Sequence, residues 1–189
     1  MSGPVIRAEA REKAARVTLL LLDVDGVLTD GRIVYDADGK EIKAFHVRDG
    51  HGIKMGQRAG VEVGIITGRR SAVVEIRARE LGIRLVRQEA RDKVAAWRDI
   101  LGERRLAPEQ TAYVGDDIVD VLLMREVGFA AAVADAEAHA AEAADYVAGQ
   151  AGGRGAVREI IEFLLHARGA WERTTAKYLA GPDDSCRPA

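Results

Sequence analysis

Short apolar runs alternate along this chain with longer amphipathic stretches, and this alternation restricts the fold more than any other feature. The runs, rich in leucine and β-branched residues, are Val17–Leu22, Val61–Ile66, Arg84–Val86, Thr111–Val114, Phe129–Val133 and Asp145–Val147. Such runs are typical of strands that a parallel sheet buries on both faces. The amphipathic stretches are Ser71–Leu81, Lys93–Leu101, Ile118–Glu126, Ala136–Ala144 and Ala156–Ala167. Repeated strand–helix units predict an α/β fold, a three-layer, doubly wound (Rossmann-like) parallel sheet that binds ligands at the carboxyl ends of its strands.

The segment at residues 31–45 departs from this alternation. Two short strand-like stretches, Arg32–Tyr35 and Glu41–Phe45, flank a turn that contains Gly39. This pattern predicts a β-hairpin inserted after the first strand, with apolar side chains suited to contact another copy of the chain. No other insertion is large enough for a cap domain. We therefore predict an N-terminal extension at residues 1–16, a main domain at 17–168 with the hairpin as a flap, and a C-terminal tail at 169–189.

Composition limits the partners and the compartment. The chain has 189 residues, and its 28 Lys and Arg against 30 Asp and Glu give a formal net charge of −2. Because nucleic-acid and acidic-membrane binding usually need a basic excess, we predict neither as a partner. The single cysteine, Cys186, excludes an intrachain disulfide and fits a reducing compartment. With no long apolar run and no signal-peptide pattern, these features predict a cytoplasmic location.

Carboxylates follow two of the predicted strands. Asp23 and Asp25 come directly after four leucines, and their i, i+2 spacing places them on one side of an extended backbone. Asp116 and Asp117 follow another apolar strand, with Asp120 close behind. Either group alone is compatible with turn residues, and Asp117 alone with a helix cap. Taken together at adjacent strand ends, the carboxylates predict a site for a hard cation such as Mg²⁺.

Two further side chains suited to phosphate chemistry follow predicted strands. Thr67 offers a hydroxyl and nearby amides after the second strand, and Lys93 lies at the start of a helix after the third. A hydroxyl, backbone amides and an ammonium group can orient and neutralise phosphoryl oxygens. Taken singly, Thr67 is compatible with a helix cap and Lys93 with a solvated surface residue. Their order along the chain, between the two acidic groups, favours phosphoryl chemistry.

This ordered set resembles the four motifs of haloacid dehalogenase superfamily phosphatases. The resemblance implies that Asp23 attacks phosphorus and that Asp25 acts first as general acid and then as general base. It implies that Thr67 and Lys93 bind the phosphoryl oxygens. It further implies that Mg²⁺ is held by Asp23, Asp116 and the backbone carbonyl of Asp25. The remaining carboxylates of the second acidic group lie behind these ligands in this interpretation: Asp117 and Asp120.

Longer segments narrow the resemblance to one family. They are residues 23–31, 43–50, 65–69, 113–117 and 152–159. They look like segments of the 3-deoxy-D-manno-octulosonate 8-phosphate phosphatase family, a capless subclass. The resemblance implies Mg²⁺-dependent hydrolysis of that sugar acid phosphate to the free sugar acid and phosphate, in lipopolysaccharide precursor biosynthesis. It also implies a homotetramer whose hairpins pack together at the centre.

The same resemblance implies a set of substrate contacts. They are His46, Val47, Arg48, Asp49, Gly50, Lys54, Arg69, Arg77 and Lys93, with Gly153, Arg154 and Gly155 contributed to the site of a neighbouring subunit. His46 stands where Asn is common in the family, and Lys54 where Arg is common. Lys54 keeps the charge without the bidentate geometry of a guanidinium group. The alternative for Arg77 is a solvated helix face, beside an i, i+4 pair of Glu75 with Arg79.

Three other interpretations stay open. A phosphatase of a nine-carbon, sialic-acid-type 9-phosphate shares the capless scaffold, and residues 152–159 favour the octulosonate ester over it. A phospho-receiver regulatory domain also uses an acidic Mg²⁺ pocket with Thr and Lys. A receiver has neither a second Asp two residues after the first nor the hairpin. A binding or scaffold protein without activity is the third, and the intact set of chemical residues disfavours it.

Overall fold

The computed structural model describes residues 3–179, so Cys186 and residues 181–185 of the predicted tail lie outside the described part of the chain. Its strands are β1 (Val5–Ile6), β2 (Leu19–Leu22), β3 (Val34–Tyr35), β4 (Glu41–Ile42), β5 (Glu62–Ile66), β6 (Leu85–Arg87), β7 (Thr111–Gly115), β8 (Phe129–Ala132) and β9 (Tyr146–Val147). Its helices are α1 (Ala10–Arg16), α2 (Val47–Arg58), α3 (Ala72–Leu81), α4 (Lys93–Arg104), α5 (Val121–Glu126), α6 (Ala138–Ala143), α7 (Ala156–Ala167) and α8 (Trp171–Leu179). Short 3-10 turns precede β7 at Pro108–Gln110 and α5 at Ile118–Asp120.

Seven strands form one twisted sheet in the order β1-β9-β8-β7-β2-β5-β6. All pairs are parallel except β1 with β9. The chain runs outward from β2 in both directions, through β5 and β6 on one side and through β7, β8 and β9 on the other. This arrangement confirms the predicted doubly wound sheet.

Both faces of the sheet are covered, which explains the uninterrupted apolar runs. Leu20 and Leu22 of β2 belong to one core, with residues of α1, α2, α3 and α7. Leu19 and Leu21 point to the opposite core, with residues of α4, α5 and α6. Because side chains alternate along a strand, four consecutive leucines are needed to fill both cores. The three-layer prediction is confirmed, and the described chain carries no second domain above the sheet.

The predicted hairpin is present and shorter than the sequence pattern indicated. Val34 pairs with Ile42 and Tyr35 with Glu41 in an antiparallel two-stranded sheet of its own. The carboxylate of Asp36 accepts hydrogen bonds from two backbone amides of the turn, at 2.8 and 2.9 Å. The hairpin therefore closes on itself and joins no strand of the main sheet.

Both ends of the described chain pack on the main domain, the first on the sheet and the second on α7. β1 adds an edge strand beside β9, and the fully buried Ala10 and Ala14 dock α1 against the sheet. The segment at residues 1–16 thus contributes two elements to the domain, while the predicted boundaries stay predictions. At the other end, Trp171 at the start of α8 stacks on His166 with ring centroids 4.6 Å apart. Within residues 3–179, no helix has both the length and the apolar character needed to cross a membrane.

Candidate active site

The predicted chemical residues meet at one edge of the main sheet. β2 pairs with β5 on one side and with β7 on the other, so the three strands end side by side. Asp23, Thr67 and Asp116 are the first residues after these strands. Together with Asp25 and Lys93 they line a cleft of about 370 Å³. The sheet register therefore brings together residues that are far apart in sequence.

Lys93 lies at the centre of a set that we call the buried cluster: Asp23, Lys93, Tyr113 and Asp120. Its ammonium group donates to Asp23 Oδ2 and to Asp120 Oδ1, both at 2.6 Å, and to the Tyr113 hydroxyl at 3.0 Å. Although burial opposes it, the two carboxylates raise the pKa of Lys93. Lys93 is 7% exposed, which excludes the solvated-surface alternative. It is held as a cation against the predicted nucleophile.

Asp120 is fully buried and uses both carboxylate oxygens within the protein. Oδ1 accepts from Lys93 and, at 2.6 Å, from the Tyr113 hydroxyl. Oδ2 accepts from the backbone amides of Asp116 at 3.0 Å and Asp117 at 3.2 Å. These bonds fix the loop after β7 and hold Lys93, which supports the prediction that Asp120 lies behind the metal ligands.

The carboxylate group has the composition of a cation site. Asp23, Asp116 and Asp120 each bring one oxygen within 4.8 Å of the others. Burial, reinforced by the charges of Asp120 and Asp23, raises the pKa of Asp116 to about 7. Burial also raises the pKa of Asp23. Carboxylates that resist ionisation together bind a hard divalent cation well, because the cation removes their mutual repulsion. Because both oxygens of Asp120 already accept hydrogen bonds within the protein, Asp23 and Asp116 are the carboxylates of this group that fit Mg²⁺.

Gly26 leaves the space that Asp116 needs. Its φ of +89° lies in the left-handed region, and a Cβ atom there would overlap the carboxylate of Asp116. A side chain would be strained by the backbone and would also displace Asp116. The glycine of the Asp-x-Asp-Gly segment is thus required by a close approach between two loops of the site.

The structure shows which of Thr67 and Asp117 caps a helical turn. Ser71, rather than Thr67, is the N-cap of α3, and its hydroxyl accepts from the Val74 amide at 3.4 Å. Thr67 is buried in the loop after β5, where its backbone bonds to Arg87 and Ala90. Asp117 does cap the 3-10 turn that follows it, because its carboxylate accepts from the Ile118 amide at 2.7 Å.

Asp25 belongs to a second set of charges, which we call the rim network: Asp25, Glu41, Lys43, Arg69 and Ser71. Asp25 lies outside the three-carboxylate group and forms an ion pair with Lys43. Arg69 Nη1 lies 4.0 Å from Asp25 Oδ2, and Arg69 Nη2 donates to Glu41 at 3.1 Å. The hairpin strand β4 and the residue after it thereby reach the mouth of the cleft.

The predicted substrate residues are dispersed. Arg69 and Lys93 line the cleft, and the others do not. Asp49 is buried and accepts from the amides of Gly155 at 3.2 Å and Arg158 at 2.8 Å, so its carboxylate caps α7. Arg77 is 23% exposed, lies over the Phe45 ring and pairs with the exposed Glu80 at 3.1 Å on the same helix. Four of the remaining members lie at or near the start of α2, His46, Val47, Arg48 and Gly50, and Lys54 lies in the second half of that helix.

The predicted neighbour-facing residues form a separate groove. Arg154 and Gly155 line it together with Arg48 from α2, and its volume is about 570 Å³. Gly153 packs against the backbone at Thr29 in the loop after β2. Arg154 is exposed and lies 3.6 Å from Asp30. The described chain thus carries a groove lined by three arginines and two glutamates beside the loop that bears Asp23 and Asp25.

Sequence reasoning missed four members of these sets: Tyr113, Glu41, Lys43 and Ser71. Tyr113 stands in an otherwise aliphatic strand just before the second acidic group, and that position is the available signal. Glu41 and Lys43 alternate along the second hairpin strand, so they share one face. The interpretation of the hairpin as a contact surface rests on its apolar residues alone, and it therefore leaves the charged face unassigned.

Comparison with known proteins places these features in a family. A family model described as haloacid dehalogenase-like hydrolase matches residues 83–161. The 3-deoxy-D-manno-octulosonate 8-phosphate phosphatase of Escherichia coli (strain B / BL21-DE3) is 49% identical over 167 residues, which cover 88% of each chain.

Solved structures agree with this similarity. The phosphatase of the same name from Yersinia pestis is 44% identical, with a TM-score of 0.85 over 87% of this chain and 89% of that one. The Moraxella catarrhalis phosphatase was solved with a magnesium ion, a phosphate ion and a molecule of 3-deoxy-D-manno-octulosonate (KDO). It is 38% identical, with a TM-score of 0.88 over 90% of this chain and 98% of that one. On this extent of identity, the chain belongs to the 3-deoxy-D-manno-octulosonate 8-phosphate phosphatase family of the haloacid dehalogenase superfamily.

Proposed function

We propose that this chain is a Mg²⁺-dependent phosphatase that hydrolyses 3-deoxy-D-manno-octulosonate (KDO) 8-phosphate to KDO and phosphate. The observation that carries the proposal is the position of Asp23. It follows the central strand between Thr67 and Asp116 and is held by the buried Lys93 at 2.6 Å. The phosphatases to which the chain is similar carry this substrate in their name.

In the first step, a carboxylate oxygen of Asp23 attacks phosphorus and forms an aspartyl phosphate. The bond from phosphorus to the sugar oxygen breaks, and Asp25 donates its proton to that oxygen. Lys93 and Thr67 stabilise the charge on the phosphoryl oxygens. The Lys93 contact also fixes one oxygen of Asp23, which orients the attacking carboxylate.

In the second step, water attacks phosphorus of the aspartyl phosphate, and Asp25 accepts the proton of that water. Phosphate leaves, and Asp23 and Asp25 return to their starting states. Asp23, Asp116 and the backbone carbonyl of Asp25 would hold Mg²⁺, which would supply positive charge to offset the charge of the phosphoryl oxygens. Asp117 and Asp120 hold the loop that presents Asp116.

Substrate recognition in this proposal extends beyond one chain. The sugar acid phosphate carries a carboxylate besides its phosphate, and Arg69 is the predicted substrate cation at the cleft mouth. We propose a homotetramer, because the hairpin exposes Ile33, Val34, Tyr35 and Ile42 by 43–57%. Packing of the hairpins would bring the groove at residues 153–155 to the cleft of a neighbour. A cytoplasmic location and a role in lipopolysaccharide precursor synthesis belong to the same proposal.

A nine-carbon, sialic-acid-type 9-phosphate is the second candidate substrate. It carries the same two anionic groups, and the capless cleft would accept both. The similarity to named KDO 8-phosphate phosphatases over 88% of the chain favours the octulosonate ester.

The test is phosphate release in the presence of Mg²⁺ from KDO 8-phosphate, a sialic-acid-type 9-phosphate and glucose 6-phosphate. We expect kcat/KM for KDO 8-phosphate to exceed that for glucose 6-phosphate by at least about 100-fold, because a site built for a carboxylate rejects esters that lack one. Asp25→Asn abolishes turnover, whereas the exposed Asp99→Asn is the matched control and keeps it. Equal turnover of all esters contradicts the proposal. A light-scattering mass near 20.4 kDa contradicts the tetramer.

A further inference from the structure

Glu41 connects the hairpin to the mouth of the cleft. Its carboxylate accepts from Arg69 Nη2 at 3.1 Å and from the hydroxyl of Ser71, and it lies 3.3 Å from Lys43 Nζ. The side chain is 17% exposed. Although burial opposes it, the Ser71 hydrogen bond and the charge of Lys43 lower the pKa of Glu41, so the group is an anion. One carboxylate thus binds three donors.

Arg69 needs such a partner to stay in place. Its side chain is long and flexible, so fixing it costs conformational entropy. A competing acceptor is close, since Asp25 Oδ2 lies 4.0 Å from Arg69 Nη1. If the guanidinium turned fully to Asp25, it would form a bidentate pair with the proposed acid and face the substrate no longer. The bond to Glu41 prevents this turn, so the guanidinium group of Arg69 still faces the substrate.

We propose that Glu41 is a positioning residue that holds Arg69 for recognition of the carboxylate end of the substrate. The inference rests on the proposed function and adds a residue to it. Glu41 lies on β4 next to Ile42, whose exposed side chain belongs to the apolar face of the hairpin. Contacts that fix the hairpin therefore also fix the cation at the cleft mouth, which couples substrate affinity to self-association.

The decisive variant is Glu41→Gln, which keeps the shape and removes the charge. We expect KM for KDO 8-phosphate to rise about tenfold while kcat stays within about twofold, because one charge-assisted bond to the recognition cation is weakened. For p-nitrophenyl phosphate, which lacks a carboxylate, we expect both constants to stay within about twofold. The matched control is Glu62→Gln, which loses a comparable bond to Arg104, at 3.0 Å, from the opposite end of β5.

A double-mutant cycle with Arg69→Met separates positioning from general loosening. If Glu41 acts through Arg69, the KM of the double variant equals that of Arg69→Met alone. Additive effects, an unchanged KM in Glu41→Gln, or an equal rise in KM for both esters overturns the positioning role. If Glu41→Gln fails to fold, Ser71→Ala decides, with an expected rise in KM of about threefold from one lost hydrogen bond. A wild-type protein that hydrolyses p-nitrophenyl phosphate and not KDO 8-phosphate overturns the proposed function as well.

Discussion

The buried cluster and the rim network both join carboxylates to cations, and they differ in what holds them. In the buried cluster, Asp23 follows β2 and Tyr113 lies within β7. Asp120 ends the 3-10 turn after β7, and Lys93 begins α4, so the main sheet and the elements directly after its strands position the cluster. The rim network depends on the hairpin. Its strands β3 and β4 pair with each other and with no other described strand. Asp120 is 0% exposed, whereas the Arg69 side chain is 37% exposed.

This difference divides chemistry from recognition. In the buried cluster the charges are shielded from water, so their interactions are strong and the loss of one partner leaves another uncompensated. In the rim network the Arg69 side chain is partly exposed, so water and salt weaken its pairs, although the Lys43 side chain is only 2% exposed. We infer that bond breaking depends on the rigid set and that substrate affinity depends on the adjustable one. Variants in the two sets should therefore affect kcat and KM differently.

Asp23→Asn gives the largest expected effect. An amide cannot attack phosphorus, so kcat falls by at least about 1,000-fold. Arg69→Met in the rim network should instead raise KM, with a much smaller effect on kcat. We expect the fold to persist in Asp23→Asn, because the amide oxygen still accepts from Lys93. The thermal unfolding curve should therefore stay cooperative. Steady-state kinetics on both variants make the comparison. Retention of more than about a tenth of the activity in Asp23→Asn would sink the nucleophile assignment.

Gly26→Ala should lower activity by about 100-fold, because the new methyl group displaces Asp116 and disturbs metal-dependent chemistry. It should also abolish the rise in melting temperature that Mg²⁺ produces in the wild-type protein. Gly39→Ala is the matched control, since Gly39 has a similar φ of +76° and a methyl group there would meet no atom within 4 Å. If both variants lose activity alike, backbone strain rather than the clash with Asp116 is the cause.

The buried cluster shows what could be predicted from the sequence. Asp23 and Lys93 of this cluster, and Asp116 beside it, follow strands that apolar runs reveal, and a parallel sheet aligns the ends of its strands. Local pattern and global topology agree there, so position in sequence is enough to predict proximity. Tyr113 was not predicted as a site residue, because an aromatic residue in a buried strand gives the same sequence pattern whether or not its hydroxyl bonds to a carboxylate.

The rim network shows why the rest could not be predicted. The sequence predicts the hairpin, but the contacts of Glu41 and Lys43 depend on how the hairpin folds back over the cleft. No periodicity in the sequence encodes the orientation of the hairpin relative to the cleft. Asp49 illustrates the same limit, because a carboxylate in a motif can bind a ligand or cap a helix, and here it caps α7. The α2 helix is also absent from the predicted elements, because glycines, which are poor helix formers, occupy three of its positions.

Removal of Mg²⁺ should make stability depend on pH through the buried carboxylates. The folded-state pKa of Asp116 is about 7 against an ordinary value of 3.8, so between these values the folded protein holds the extra proton. The free energy of unfolding of the metal-free protein therefore falls as pH rises through this window, by about 1–2 kcal/mol after allowance for partial exposure.

Urea unfolding in EDTA at pH 5 and pH 8 measures this fall, and Asp116→Asn should reduce it. Addition of Mg²⁺ at pH 8 should restore stability, because the cation then offsets the carboxylate charge. An identical pH dependence in wild type and Asp116→Asn would show that the repulsion lies elsewhere in the site.

Tyr113→Phe gives the smallest expected effect and tests whether the buried cluster acts as a unit. The change removes the hydroxyl that donates to Asp120 at 2.6 Å and accepts from Lys93 at 3.0 Å. Lys93 keeps both carboxylates, so we expect stability to fall by about 1 kcal/mol and kcat by about three- to tenfold. KM should stay unchanged, because the hydroxyl is remote from the rim network. Chemical unfolding and steady-state kinetics measure both effects. A loss as large as that of Asp23→Asn would mean that the hydroxyl orients the nucleophile through Lys93, and that the cluster is a single cooperative network rather than a pair of carboxylates around one cation.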